Sequence, residues 1–386
     1  MRVKRTLSIW LPLNIAAALT AITTPPSDAQ MVHETAGWGT TAVPLLNFSS
    51  DDGTGYGLRA NLFEYDGESV PYRRKFSTQV FVTTKGKWVH RILVDTPKLR
   101  PGQRLEAELV YRKEDFANYY GGLSDDDIED YARDEKTFRQ AFPELKVKWI
   151  RNLRLPWRLR VGGRLSHNDI EPNATRSILS DFPPLGADGG AFAQLNSSLR
   201  YDTRDNYNNA TSGILEELLV DIGVGGGGDY RGAMVSFDHR HFLPVAQGLV
   251  VVAHHLGVDW TLGNRPFYEE LELGGSSTVR GVASARDRGE ARVLLNGELR
   301  WRGLPVRRRQ HIYLGLVAFG DFGQIFERDA LPDGGEWRRG SGMGLRLHWQ
   351  STIVRGLRRK PHGIHASNDR RDRVTVTTPS AIFPPA

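Results

Sequence analysis

Apolar and polar residues alternate with a period of two along most of this chain. In Tyr56-Gly57-Leu58-Arg59-Ala60-Asn61-Leu62 one face carries Tyr, Leu, Ala and Leu, and the other Gly, Arg and Asn. Leu105, Ala107, Leu109 and Tyr111 interleave with Arg104, Glu106, Glu108 and Arg112, with Val110 as the exception. Trp157, Leu159 and Val161 alternate with Arg158, Arg160 and Gly162; Val293, Leu295, Leu299 and Trp301 with Asn296, Glu298, Arg300 and Arg302; Met343, Leu345, Leu347 and Trp349 with Gly344, Arg346 and His348. A period of two sends successive side chains to opposite faces of a strand. Strands are therefore expected at 42–48, 55–66, 73–84, 87–95, 103–113, 143–152, 157–167, 190–203, 213–224, 230–242, 248–261, 291–302, 308–325, 340–350 and 351–357.

The polar faces are dense in charge, which suits a lumen, while the apolar faces suit lipid. The competing reading is a large antiparallel sheet with one face in water, and it requires a second buried-face pattern that the chain lacks. The connections give an independent check. Every long one (114–142, 168–189, 262–290 and 326–339) is odd-numbered in chain order, and the even-numbered ones are short. Outer-membrane barrels place long loops outside and tight turns in the periplasm. The expectation is an all-β transmembrane antiparallel barrel over 30–357, of about sixteen strands with the last one irregular.

Composition sharpens this picture in three places. Arg2, Lys4 and Arg5, then an apolar run from Leu7 to Ile22, then Ser27-Asp28-Ala29, have the layout of an export signal over 1–29. The chain has no cysteine, which excludes disulfide staples, thiolate metal sites and cysteine nucleophiles. The net charge of +6 belongs to the ends. Three basic and one acidic residue in 1–29, and seven basic and two acidic in 355–373, leave the remainder at −1. No basic groove for nucleic acid is expected in such a body.

In the connection at 114–142, Ser124-Asp125-Asp126-Asp127 has the pattern of a helix cap, and helix is expected from there through Gln140. Its carboxylates lack the spacing of a calcium loop. No Gly-x-Ser-x-Gly occurs, and no nucleophile has a placed base, so no enzyme activity is expected. His254 and His255, adjacent on a strand, face opposite ways. His239 and His241 share a face, which leaves a two-histidine site open, but without further ligands at metal spacing surface or membrane-interface histidines are the expected reading. No cofactor is expected.

Two segments carry the candidate chemistry. Gly274-Gly275-Ser276-Ser277-Thr278-Val279-Arg280-Gly281-Val282 lies in the connection at 262–290, and Phe319-Gly320-Asp321-Phe322-Gly323 lies in a strand about forty residues later. In a barrel, they suggest an arginine folded into the lumen to meet a carboxylate. Alternation independently turns Glu298 to the lumen. The glycines allow sharp turns and close approach to the wall. The alternative is a loop-tip arginine in solvent.

Val279-Arg280-Gly281 after Gly274-Gly275 resembles the loop motif of the outer-membrane assembly barrels, the BamA/TamA and bacterial-surface-antigen superfamily. Phe319-x-Asp321-x-Gly323 resembles that family's partner motif, Asn296-Gly297-Glu298-Leu299-Arg300 its preceding strand, and Tyr201-Asp202-Thr203-Arg204-Asp205-Asn206 with Gly213 the middle of its barrel. The resemblance implies that Arg280 contacts Glu298 and Asp321 and that Asp321 faces the lumen. It also implies an integral protein of the bacterial outer membrane, in contact with its lipid, that inserts or translocates polypeptide or lipid. A passive or gated pore plugged by 262–290 is the alternative function.

Two departures from the family follow. The first strand is expected almost directly after the signal, without room for periplasmic domains, so a periplasmic partner would act in trans. Gly356-Leu357-Arg358-Arg359-Lys360-Pro361-His362 breaks the alternation, and 358–386 reads as an atypical basic tail, frameshifted or disordered, with Val374-Thr375-Val376-Thr377 its sole strand-like stretch.

Overall fold

In a computed structural model of the chain, residues 36–49, 52–69, 71–207, 209–226, 229–307, 312–326, 336–351 and 374–376 are described. The strands in chain order are β1 (Gly37–Ser49), β2 (Gly53–Tyr65), β3 (Arg74–Thr83), β4 (Lys87–Arg100), β5 (Gln103–Asn118), β6 (Thr137–Asn152), β7 (Trp157–Pro172) and β8 (Gly190–Asp202). They continue as β9 (Gly213–Gly225), β10 (Tyr230–Val245), β11 (Val250–Asn264), β12 (Leu271–Leu273), β13 (Asp287–Gly289), β14 (Ala291–Arg307), β15 (Ile312–Phe326), β16 (Arg338–Ser351) and β17 (Val374–Val376). All but β12 and β13 form one 15-stranded antiparallel sheet in which each strand pairs with the next, and β12–β13 is a separate hairpin inside the connection from β11 to β14.

The distribution of burial identifies the solvent on each side of this sheet. Leu58, Val80, Ile92, Leu165, Leu195, Ile222 and Leu299 are each more than half exposed, whereas Asp95, Glu144, Arg200, Asp221, Glu298 and Asp321 are buried. A water-soluble sheet shows the reverse. An apolar outer face with charges packed inside is the arrangement of a transmembrane barrel. The inward charges are paired: Glu217 with Arg160 and Arg200 and Asp259 with Arg292 across strands, and Glu144 with Lys146 along its own strand and with Arg164 on the next. Pairing is what makes such burial tolerable.

Several strands are longer than their alternation indicates: β5, β6, β7 and β10 each run 16 residues. Crossing the lipid takes roughly 9–11 residues, so these strands continue beyond it. The outer ends of β5, β6 and β7, with the long connections, build a small apolar core of Ala117, Tyr119, Phe138, Ile178, Leu179 and Phe267, with Ile170 packed against it. This cap explains a correction to the expected helix through Gln140. Helix occupies only Asp125–Glu129, with Ser124 accepting from the Asp127 N–H, followed by a short turn of 3₁₀ helix. From Thr137 the chain is strand, because Phe138 is needed as buried packing in the cap.

The strand count among described residues agrees with about sixteen strands whose last one is irregular. The main sheet has fifteen, and β17 pairs with β16 through Trp349, Gln350 and Ser351 only. The expected signal at 1–29 and most of the tail, including the expected strand at 351–357 beyond Ser351, lie outside the described residues. The alternation of connection lengths persists among the described residues: 119–136, 173–189 and 265–290 fall at the outer end.

Candidate functional site

The connection from β11 to β14 is held first at its outer end. Arg265 pairs with Asp221 inside the barrel, and Phe267 is fully buried in the cap against Tyr119 and Phe138. After β12 the chain turns inward at Gly274 (φ +107°) and Gly275 (φ +81°). A Cβ on Gly274 would lie 2.0 Å from the Ala283 carbonyl oxygen, so only glycine fits this crossing. Thr278 Oγ accepts from the Gly274 N–H at 2.8 Å and donates to the Gly274 carbonyl at 2.7 Å, and the Gly275 N–H donates to the Val282 carbonyl at 2.9 Å. These bonds close 274–283 into a compact finger, and Gly281 (φ +92°) turns its tip back.

Two adjacent residues fasten the finger to the wall. Val279 is fully buried between Leu273 and Leu294. Arg280 spreads its guanidinium over two carboxylates: Nε donates to Asp321 Oδ2 at 2.7 Å, Nη2 to Asp321 Oδ1 at 3.0 Å and Nη1 to Glu298 Oε1 at 2.8 Å. Its backbone N–H also donates to Asp321 Oδ2 at 3.1 Å, and its guanidinium carbon lies 3.4 Å from the centre of the Phe319 ring. A planar fork with a flat cationic face can serve two acids and an aromatic ring at once; an ammonium cannot.

The sheet register supplies this receptor. β14 and β15 pair Asn296 with Asp321 and Glu298 with Phe319, so the two acids stand diagonally across neighbouring strands. Asn296 steadies the acid, donating through Nδ2 to Asp321 Oδ1 at 3.0 Å and to the Thr278 carbonyl at 2.7 Å. Glu298 also receives Arg300 Nε at 2.6 Å and Arg346 Nη2 at 2.8 Å. The two acids are thus held unequally: Glu298 has three guanidinium partners, while Asp321 has Arg280 and the neutral Asn296.

Glycine permits the close approach on the wall as well. A Cβ on Gly323 would meet Leu273 at 2.6 Å and Val279 at 2.9 Å, and one on Gly340 would lie 1.8 Å from the Arg280 carbonyl oxygen. Of the residues singled out in the sequence, Arg280, Glu298, Phe319 and Asp321 meet directly, Val279 and Gly323 pack beside them, and Gly274, Gly275 and Gly281 shape the finger. The Arg280 side chain is 15% exposed, which rules out a loop-tip arginine in solvent. Asn296 was present in the quoted strand motif without a role. Arg346 was legible as an inward residue of its strand, but Gly340 gave no signal, because its partner is a backbone atom 60 residues away.

The outer end of the connection is anchored by a second charge group. Arg286 bonds Asp125 and the Leu123 carbonyl, Arg338 bonds Asp125 at 3.1 Å and Asp287 at 2.9 Å, and Asn118 Nδ2 donates to the Ser284 carbonyl at 2.9 Å. The acidic helix is therefore engaged by arginines rather than merely solvated. The Arg286 hydrogen bond holds the Asp125 carboxyl below its usual range. Burial in the cap raises Tyr119 and Tyr268, each to about 12.

The Omp85 superfamily domain matches residues 89–358, which takes in most of the barrel and the whole latch, that is, the finger 274–283 with its receptor on β14 and β15. The chain belongs to the Omp85 superfamily. Among solved structures it is similar to BamA from Haemophilus ducreyi lacking POTRA domains 1-3, with a TM-score of 0.57 at 15% identity over 82% of this chain and 65% of that one. It is also similar to CdiB from Escherichia coli, with a TM-score of 0.54 at 13% identity over 80% of this chain and 56% of that one. CdiB from Acinetobacter baumannii gives a TM-score of 0.47 at 12% identity, over 88% of this chain and 58% of that one. The chain thus spans less than two thirds of the length of these solved chains. No curated protein matches it. At such identities the shared property is the fold, and the Omp85 chain described here carries its own set of latch contacts.

Proposed function

We propose that this Omp85 barrel resides in the bacterial outer membrane and promotes the insertion or translocation of polypeptide, without enzymatic chemistry. The observation that supports this reading most is the finger 274–283, folded into the lumen and fastened by Arg280 to Asp321 and Glu298. A permanent plug needs only bulk. Here a buried charged fork is matched to acids on two separate strands, so the finger ties the wall together next to its own docking site. Lipid is the surrounding medium, and a polypeptide client or a periplasmic partner acting in trans is the expected company.

Photocrosslinkers placed on the first strand and on the lumen wall, in living cells, test the proposal. Crosslinks to newly exported outer-membrane polypeptides support it. A barrel that crosslinks to none, yet conducts steadily in planar bilayers and conducts more once 270–288 are removed, refutes it in favour of the pore.

A further inference from the structure

The outer surface of β9, β10 and β11 carries a polar cluster that neither lipid contact nor the finger uses. On β10, Val235, Phe237 and Leu243 are exposed to the lipid side, and His239 and His241 lie between them on the same face. The register sets His241 opposite His254 of β11 and His239 opposite Glu216 of β9. The rest of this face is apolar, with Leu218, Val220, Ile222, Val258 and Leu262 all exposed. Ionisable side chains are costly on such a surface and tend to mark function.

Their geometry is specific. His239 Nδ1 is 2.8 Å from Glu216 Oε1, and His239 Nε2 is 3.1 Å from His254 Nε2. The His241 ring centre lies 5.2 Å from that of His254 and 6.4 Å from that of His239. Four residues lie between His241 and the periplasmic end of β10, and four between His254 and that of β11, and Glu216 shares a cross-strand row with the interfacial pair Tyr201 and Trp157. An ion dissolved in the periplasm can reach that level.

We propose that His239 and His254 bind a divalent transition-metal ion of the zinc type through their Nε2 atoms, with His241 as a further ligand and Glu216 as the orienting carboxylate. Two imidazole nitrogens on one tetrahedral zinc ion stand about 3.3 Å apart, given Zn–N bonds of about 2.0–2.1 Å. The observed separation is within a few tenths of an ångström of that. Glu216 accepts the Nδ1 proton of His239, leaving the Nε2 lone pair free for a metal, which is the role of a carboxylate behind a ligating histidine. Imidazole donors select such ions over magnesium or calcium, which favour all-oxygen sites. Among the described residues no three side chains converge on one centre as they stand. His241 joins by rotating about its own side-chain bonds. The bound ion would clamp β10 to β11 from outside the wall, independently of the proposed insertion function.

The test uses the full barrel in detergent, purified with a tag free of histidine and titrated with Zn²⁺ against a chromophoric chelator. His239→Leu, His254→Leu and Glu216→Gln are compared with wild type. Leucine is ordinary on the lipid face, so folding is retained, and heat-modifiable migration in gels verifies it. The expected result is one ion per chain, a loss of more than about 100-fold in affinity for either histidine variant, and a loss of about 10-fold for Glu216→Gln. Zn²⁺ also raises the melting midpoint of wild type but not of the histidine variants. Wild type taking up no more Zn²⁺ than the His239→Leu/His254→Leu double variant, or Ca²⁺ displacing Zn²⁺ at equal concentration, overturns the proposal.

Discussion

Replacing Arg280 by alanine removes the three guanidinium bonds to Asp321 and Glu298 and the stacking on Phe319 in one step. The cost falls unevenly. Glu298 keeps Arg300 and Arg346, whereas Asp321, which has no exposed surface, keeps only Asn296 and the residue-280 N–H. Stranding one member of a buried ion pair costs about 3–5 kcal/mol. That shifts the balance between docked and undocked finger by roughly 10²-fold to several thousand-fold, at about 1.4 kcal/mol per tenfold. Limited proteolysis of 274–283 in purified barrels reads this balance directly, and melting of the gel-shifted folded form reads its effect on the whole. Asp321→Asn in the Arg280→Ala background removes the stranded charge and should recover part of the loss. Equal protease resistance and equal melting for Arg280→Ala and wild type would refute the idea that this arginine holds the finger. Failure of Asp321→Asn to recover anything would show that charge burial is not the cause.

Four further expectations follow from the same geometry. Arg280→Lys should fall between wild type and alanine by the same protease assay, since an ammonium serves one acid but forfeits the fork. Phe319→Leu keeps every ion pair and loses only the stacked ring, so its effect on melting should be smaller, about 1–2 kcal/mol. Gly340→Val changes no charge, yet its Cβ would overlap the Arg280 carbonyl; protease sensitivity like that of Arg280→Ala is expected, and wild-type resistance would show that the wall shifts aside instead. Asp125→Asn should loosen only the outer end of the connection, by less than about 1 kcal/mol, because this carboxylate is 65% exposed. Its pKa is lowered in the docked state, so its contribution is complete above the ordinary carboxylate range and fades as pH falls through the lowered value. Proteolysis at 284–290 measured from pH 6 downward checks that sign.

The barrel was legible because its two faces meet different solvents, which imposes alternation on nearly every strand. Strand ends were not. Beyond the lipid the outer face no longer needs to be apolar, so β6 begins at Thr137, where the sequence reads as helix through Gln140. The latch was half legible: alternation turned Glu298 inward, while the lumen position of Asp321 rested on the motif resemblance. Gly340 and the cluster of His239, His241 and His254 depend on which residues stand opposite one another. One-residue shifts in register reverse a face, so such pairs cannot be read from either strand alone.

The contacts of the connection also imply an order of release. From outside inward it is held by Asp125 with Arg286 and Arg338, by Phe267 in the cap, and by Val279 with Arg280 at the wall. The outermost contact has its carboxylate, Asp125, largely in water and is therefore the weakest of the three and the one most sensitive to salt. The innermost is desolvated, doubly charged and backed by Asn296, so it resists salt and yields only when its acids receive another cation or its strands separate. Opening from the outside therefore frays residues 284–290 without freeing the finger, because Gly274 and Thr278 keep 274–283 folded as a unit. Freeing the finger requires an event at β14 and β15 themselves, which couples the position of the loop to the integrity of the barrel wall. A surface ligand that merely pries open the cap leaves Arg280 in place.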